Sequence, residues 1–193
     1  KKYDKPQPPL ISIHTREPRD TMKIIKSFYL KYPQFKWITF RDLRNLPRKK
    51  FAEDLSESFL SVWVDDISGF GTFPLESMKC GIPVIGKVPN LKPEWMNEDN
   101  GIWSYDFNQM VDILGNFVQK WLEDELPEEL YADMEKTVKK YSKENFQNSV
   151  MGVFNAINER KIMEVRRNLE KLTPVGPQDN IEEGSVSELF NKN

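Results

Sequence analysis

The chain has 193 residues, 38% of them hydrophobic, 12% aromatic and 30% charged; with glycine the apolar share is roughly 43%, which excludes a collagenous, low-complexity or wholly disordered protein. That length favours one domain whose core buries about 70% of the unfolded chain's surface. A formal net charge of -2 argues against a nucleic-acid module, and one Cys with one His excludes a disulfide or a Cys/His zinc site.

Lys1 to Pro9 is charged and proline-rich, unlike an apolar signal segment, and reads as a linker at the start of a fragment of a longer protein. No apolar run reaches the roughly 18 residues of a membrane helix, so the expectation is a soluble, cytoplasmic chain. Leu10 to His14 suits a buried strand, and Asp20 with Thr21 can cap a helix that carries Met22, Ile25, Phe28, Tyr29 and Tyr32 at helical spacing. Phe35 to Phe40 is aromatic and β-branched and reads as a second strand. Pro47 then opens a helix with Phe51, Leu55 and Phe59 on one face. Phe59 to Val64 predicts a third strand, Pro74 to Cys80 a short helix, Ile82 to Gly86 a fourth strand and Ile102 to Ser104 a fifth. This alternation is the pattern of a parallel sheet covered by helices. Phe107, Met110, Val111, Leu114, Val118 and Trp121 then form one helical stripe, Pro127 opens another helix, and Phe146, Val150, Phe154 and Ile157 mark a third from about Ser142 to Arg160, with a pattern continuing through Leu169. Beyond Thr173 the composition is that of a flexible tail.

Charge is uneven along the chain. From Arg16 to Lys50 there are 11 basic residues against Glu17, Asp20 and Asp42, a local balance of +8. Such a block reads either as solvated helix faces or as an attraction for a phosphorylated ligand, and it permits attachment to the inner face of a membrane. Ligands of open α/β sheets bind outside the carboxyl ends of the strands, which directs attention to the loops after His14 and Val64. The second of these contains Ser68, Gly69, Phe70, Gly71 and Thr72; its glycines let backbone amides approach a ligand, and a helix starting near Pro74 would place Glu76 in its first turn, able to accept hydrogen bonds from a ribose diol. A lone His14 at a strand end reads first as a structural residue, Cys80 as buried packing, and Trp95 either as a stacking partner for a base or as a core residue.

Gly69-Phe70-Gly71 followed by Pro74-Leu75-Glu76-Ser77-Met78-Lys79-Cys80-Gly81-Ile82-Pro83-Val84-Ile85 resembles the donor-binding signature of retaining glycosyltransferases with the GT-B fold, in particular the family 4 group. The resemblance extends at lower specificity from about Leu10 to Arg160. It implies an α/β fold, a Rossmann-like parallel sheet flanked by helices with a helical C-terminal region, forming the C-terminal half of a GT-B enzyme. The implied division is a linker at 1–8, a nucleotide-sugar-binding domain at 9–160 and a helical extension with a tail at 161–193.

The resemblance also implies roles. Glu76 matches the family's ribose ligand, Gly69 to Thr72 the stretch facing the donor sugar, and Arg16 the cation on the diphosphate. Ser68 stands where the family has a second Glu, a loss of charge that leaves a hydrogen-bonding group only. No Lys stands near Met22, where the family's second cation falls, and Arg19 is the substitute. The expected partners are a nucleotide diphosphate sugar as substrate and a separate N-terminal acceptor-binding domain, with no metal, no cofactor and no nucleic acid. The expected activity is hexosyl transfer in cell-surface polysaccharide or glycoconjugate synthesis. The alternative is a non-catalytic GT-B-like scaffold that has lost its donor-sugar carboxylate.

Overall fold

The computed structural model describes residues 8–172; positions 1–7 of the expected linker and the tail after Thr173 lie outside the described residues. The chain divides after Asn145 into two units. In the first, five strands form one parallel sheet: β1 (Leu10–Thr15), β2 (Thr39–Asp42), β3 (Ser58–Val64), β4 (Val84–Lys87) and β5 (Ile102–Ser104). Their order is β2-β1-β3-β4-β5, and every neighbouring pair runs parallel. β3 is buried at all seven positions, as expected of a central strand covered on both faces.

Helices cover the sheet on both sides. α1 (Pro18–Lys31) and α4 (Phe107–Leu122) pack together over one face, while α2 (Arg48–Glu57), α3 (Thr72–Lys79) and α5 (Glu128–Lys140) cover the other. The apolar spacings place Ile24 and Phe28 of α1, and Met110, Leu114 and Val118 of α4, in a single core with Ile11, Ile13, Leu60, Val62 and Ile85 of the sheet. The N-terminus of α4 is capped by Asp106, whose carboxylate accepts from the Gln109 amide at 2.8 Å. The second unit is the part of α6 (Lys143–Leu172) from Phe146 onward, a helix on which Phe146, Phe154 and Ile157 are exposed. Among the described residues no helix is long and apolar enough to cross a membrane.

The second strand departs from its expected place. Pro33 fixes its own φ and opens a 3-10 turn over Pro33–Phe35, so Phe35 and Ile38 reach the core from a turn, and the strand begins only at Thr39. Its carboxyl end moves to Asp42 as a result, and no further strand stands between β2 and β3.

Candidate functional site

The chain runs from β1 outward to β2, then crosses back over β1 to β3 on its other side. The order therefore reverses between β1 and β3, where His14 lies opposite Trp63 and Thr15 opposite Val64. A crevice outside the carboxyl ends of two strands at such a reversal is the general ligand position of open α/β sheets. The loops after β1 and β3 that carry Arg16 and 65–71 both open there, and Arg19 follows in the first turn of α1 rather than in the loop.

The loop after β3 is built on Asp65. One oxygen of its carboxylate accepts from the backbone amides of Ile67 and Ser68 at 3.1 and 3.0 Å and lies 3.6 Å from the Arg16 guanidinium, while the Arg16 amide donates to the Val64 carbonyl at 2.9 Å. Arg16 is thus tied to the β3 loop through both its backbone and its side chain. Ser68 is spent within the loop as well, since its Oγ accepts from the Gly71 amide at 3.0 Å. Of the amides expected to face a donor, that of Gly71 is already bonded. Asp66 pairs through both oxygens with Lys87 of β4 at 2.7 and 2.8 Å, and Trp95 donates its indole N–H to the Phe70 carbonyl. The loop is therefore held at both ends before any ligand arrives.

Gly71 precedes α3 with φ 66°, directly over the buried Trp63. A Cβ there would lie 2.7 Å from the indole, so only glycine lets the backbone come so close. Because Gly71 takes the N-cap position, α3 begins at Thr72, two residues earlier than expected. Glu76 then falls in the second turn, exposed, where the favourable field of the helix N-terminus has largely faded. Gly69, Phe70, Thr72 and Arg19 are exposed as well.

Two further residues reach this edge because β2 ends late. Asp42 accepts from Arg44 through the backbone amide at 3.0 Å and through Nε to both oxygens at 2.9 Å, with Nη2 closing the fork. Burial raises the Asp42 pKa, but the hydrogen bonds and charge of Arg44 outweigh it and hold the carboxyl below its ordinary value. The sequence signal was present in the Asp-x-Arg spacing, and it was obscured by ending the strand at Phe40.

The structure decides or changes three other expectations. Trp95 is a core residue, 2% exposed and packed against Trp63 and Trp103 with centroids 6.3 and 5.8 Å away. Cys80, expected in the core, is exposed, because it caps the C-terminus of α3 and its amide closes back on Glu76 and Ser77. Much of the basic block is paired internally: Lys31 with Asp112, Arg41 and Lys50 with the buried Asp54, and Arg44 with Asp42. Among the described residues no group of three or more His, Cys, Asp or Glu is placed to hold a metal ion.

No protein-family model matches the chain, and no curated protein matches it. Solved structures do. A GtfA/B complex superposes with a TM-score of 0.55 at 12% identity, covering 81% of this chain and 37% of that one. TarM gives 0.54 at 18% identity, over 77% and 36%, and the pneumococcal O-GlcNAc transferase GtfA in complex with UDP and GlcNAc gives 0.52 at 13%, over 77% and 36%. The chain spans little more than a third of the length of these proteins. At such identities the likeness is one of fold: an α/β, Rossmann-like half of a GT-B structure.

Proposed function

We propose that this chain is the donor-binding half of a retaining glycosyltransferase, holding a nucleotide diphosphate sugar for hexosyl transfer in cell-surface polysaccharide or glycoconjugate synthesis on the cytoplasmic side of the membrane. The observation that carries the reading is the placement of the loops bearing Arg16 and 65–71, with Arg19 in the first turn of α1, at the reversal of strand order between β1 and β3. Arg16 and Arg19 meet the diphosphate as paired cations, where negative charge grows as the sugar departs. Gly69, Phe70 and Thr72 border the sugar, with Ser68 and Gly71 shaping that border through their mutual hydrogen bond. Glu76 accepts from the ribose hydroxyls. An N-terminal domain supplies the acceptor and the rest of the active site. Two of the structural neighbours are described in complex with UDP, which makes a uridine diphosphate sugar the first donor to try.

One observation favours a second reading, a binding module without transfer activity. Ser68 occupies the position of the family's sugar-gripping carboxylate, and its Oγ is engaged by the Gly71 amide.

Calorimetric titration with UDP, GDP, ADP and their sugar conjugates at low salt tests the first reading, with selective binding of one diphosphate expected. Glu76→Ala should then weaken binding on the order of a hundredfold, the equivalent of about 3 kcal/mol from two charge-assisted hydrogen bonds. An affinity that stays within a factor of about two of the unaltered chain refutes the ribose assignment. Ser68→Glu in the full-length protein separates the two readings: gained donor hydrolysis or transfer supports the enzyme, and an inert variant supports the module.

A further inference from the structure

His14 is the chain's one histidine, and no role given above uses it. It is the penultimate residue of β1, at the reversal of strand order. Its ring stacks on Phe73 of α3 with centroids 5.0 Å apart and planes at 22°, and Phe73 is in turn buried against Phe51 of α2 at 6.2 Å. That stack fixes the plane of the imidazole and gives its two nitrogens different surroundings. Nδ1 is enclosed and meets no hydrogen-bond partner, while His14 as a whole is only half-buried and Nε2 makes no hydrogen bond to the described residues.

The asymmetry decides where the proton sits. A closed site tolerates an unused lone pair better than an unused N–H, since orphaned donors are the rarer of the two in folded proteins. This asymmetry favours the tautomer with the lone pair on Nδ1 and the proton on Nε2. The acidic groups around the ring do not take that proton. Asp42, on β2, is saturated by the Arg44 fork, and Asp65, after β3, is engaged by the amides of Ile67 and Ser68 and by Arg16. Burial lowers the His14 pKa, with the repulsion of Arg44 and against the attraction of Asp42 and Asp65 and a weaker contribution from its own backbone, which favours the neutral ring in neutral solution.

A fixed donor without an internal acceptor, two residues from Arg16 and at the ligand position of the sheet, calls for an acceptor brought by the ligand. We infer that His14 contacts the bound donor, its Nε2–H donating to a phosphoryl oxygen of the nucleoside diphosphate. The inference rests on the reading of this edge as a nucleotide-sugar site and adds a third phosphate contact beside Arg16 and Arg19.

A single histidine makes the test direct: long-range proton–nitrogen correlation spectra of the nitrogen-15-labelled chain contain one imidazole. The expected result is the Nε2–H tautomer without ligand, and a shift of the Nε2 signal on titration with UDP and with inorganic pyrophosphate. In calorimetry with UDP, His14→Phe, which keeps the stack and removes the donor, is expected to lose about tenfold in affinity, while His14→Gln, which returns an N–H near the Nε2 position, stays within about threefold of the unaltered chain. An Nδ1–H tautomer overturns the inference. So does a histidine signal that stays still while UDP binds with measurable heat, and that outcome leaves the donor-site reading standing. Absence of heat with every nucleotide refutes the donor-site reading and this contact together.

Discussion

Replacing Gly71 with Ala separates two costs that the loop before α3 imposes at one position. The first is conformational: with φ 66° the backbone is left-handed, and a Cβ there costs about 1–2 kcal/mol. The second is steric, since the new methyl would lie 2.7 and 2.9 Å from the outer ring of Trp63. That indole is 1% exposed and is held between Trp95 and Trp103, so it has no room to withdraw, and overpacking of this kind costs about 1–3 kcal/mol. The sum, about 3 kcal/mol, corresponds to a fall in Tm of about 6–12 °C for a domain of this size. Gly81 provides the control, because its φ of 72° is similar and an added Cβ meets nothing within 4 Å. Gly81→Ala should therefore cost only the conformational part, about 1–2 kcal/mol. Urea unfolding followed by tryptophan fluorescence measures both variants under one set of conditions. If Gly71→Ala is no more destabilising than Gly81→Ala, the argument that Trp63 dictates glycine at this corner is wrong.

Two further outcomes follow from the ion pairs. Burial raises the pKa of Asp54, but the hydrogen bonds and charges of Lys50 and Arg41 outweigh it and hold the carboxyl below its ordinary value; the stability this gives is present above about pH 4 and is lost as pH falls through the folded-state pKa. Asp54→Asn should lower stability by about 2 kcal/mol at pH 7 and flatten the decline in acid, as read from urea midpoints between pH 3 and pH 7; an unchanged acid profile would sink the assignment. Lys87→Met removes the fork on Asp66 and should cost less than about 1 kcal/mol in global stability, because both groups are partly exposed. It should nevertheless speed amide exchange across 65–71 selectively, and uniform exchange over the chain would contradict the view that this pair pins the loop.

The crevice at the reversal of strand order is lined by groups from distant parts of the chain, and the limits of a linear reading follow from that. The alternation of strands and helices was legible because each strand is a short apolar run and each helix carries a stripe at its own period, both properties of neighbouring residues. β5 was expected at Ile102–Ser104 and lies there, and Pro127 marks the start of α5 as expected. Local rules failed where two of them competed. Aromatic, β-branched Phe35 to Phe40 favours a strand, but Pro33 commits the first of those residues to a 3-10 turn, and the end of β2 moved with it.

By itself the sequence determined the fold class and the glycine loop after β3, because spacing along the chain carries both. Only the tertiary structure decided which groups share the crevice. The strand order β2-β1-β3 brings Asp42 and Arg44 beside His14 and Asp65 although 20 or more residues of chain separate one strand end from the next. It also decided which polar atoms are spent: Ser68 and Asp65 on the loop's own amides, and Trp95 on the Phe70 carbonyl. Hydrogen-bond satisfaction depends on what lies within about 3 Å in space, a quantity that residue spacing does not encode.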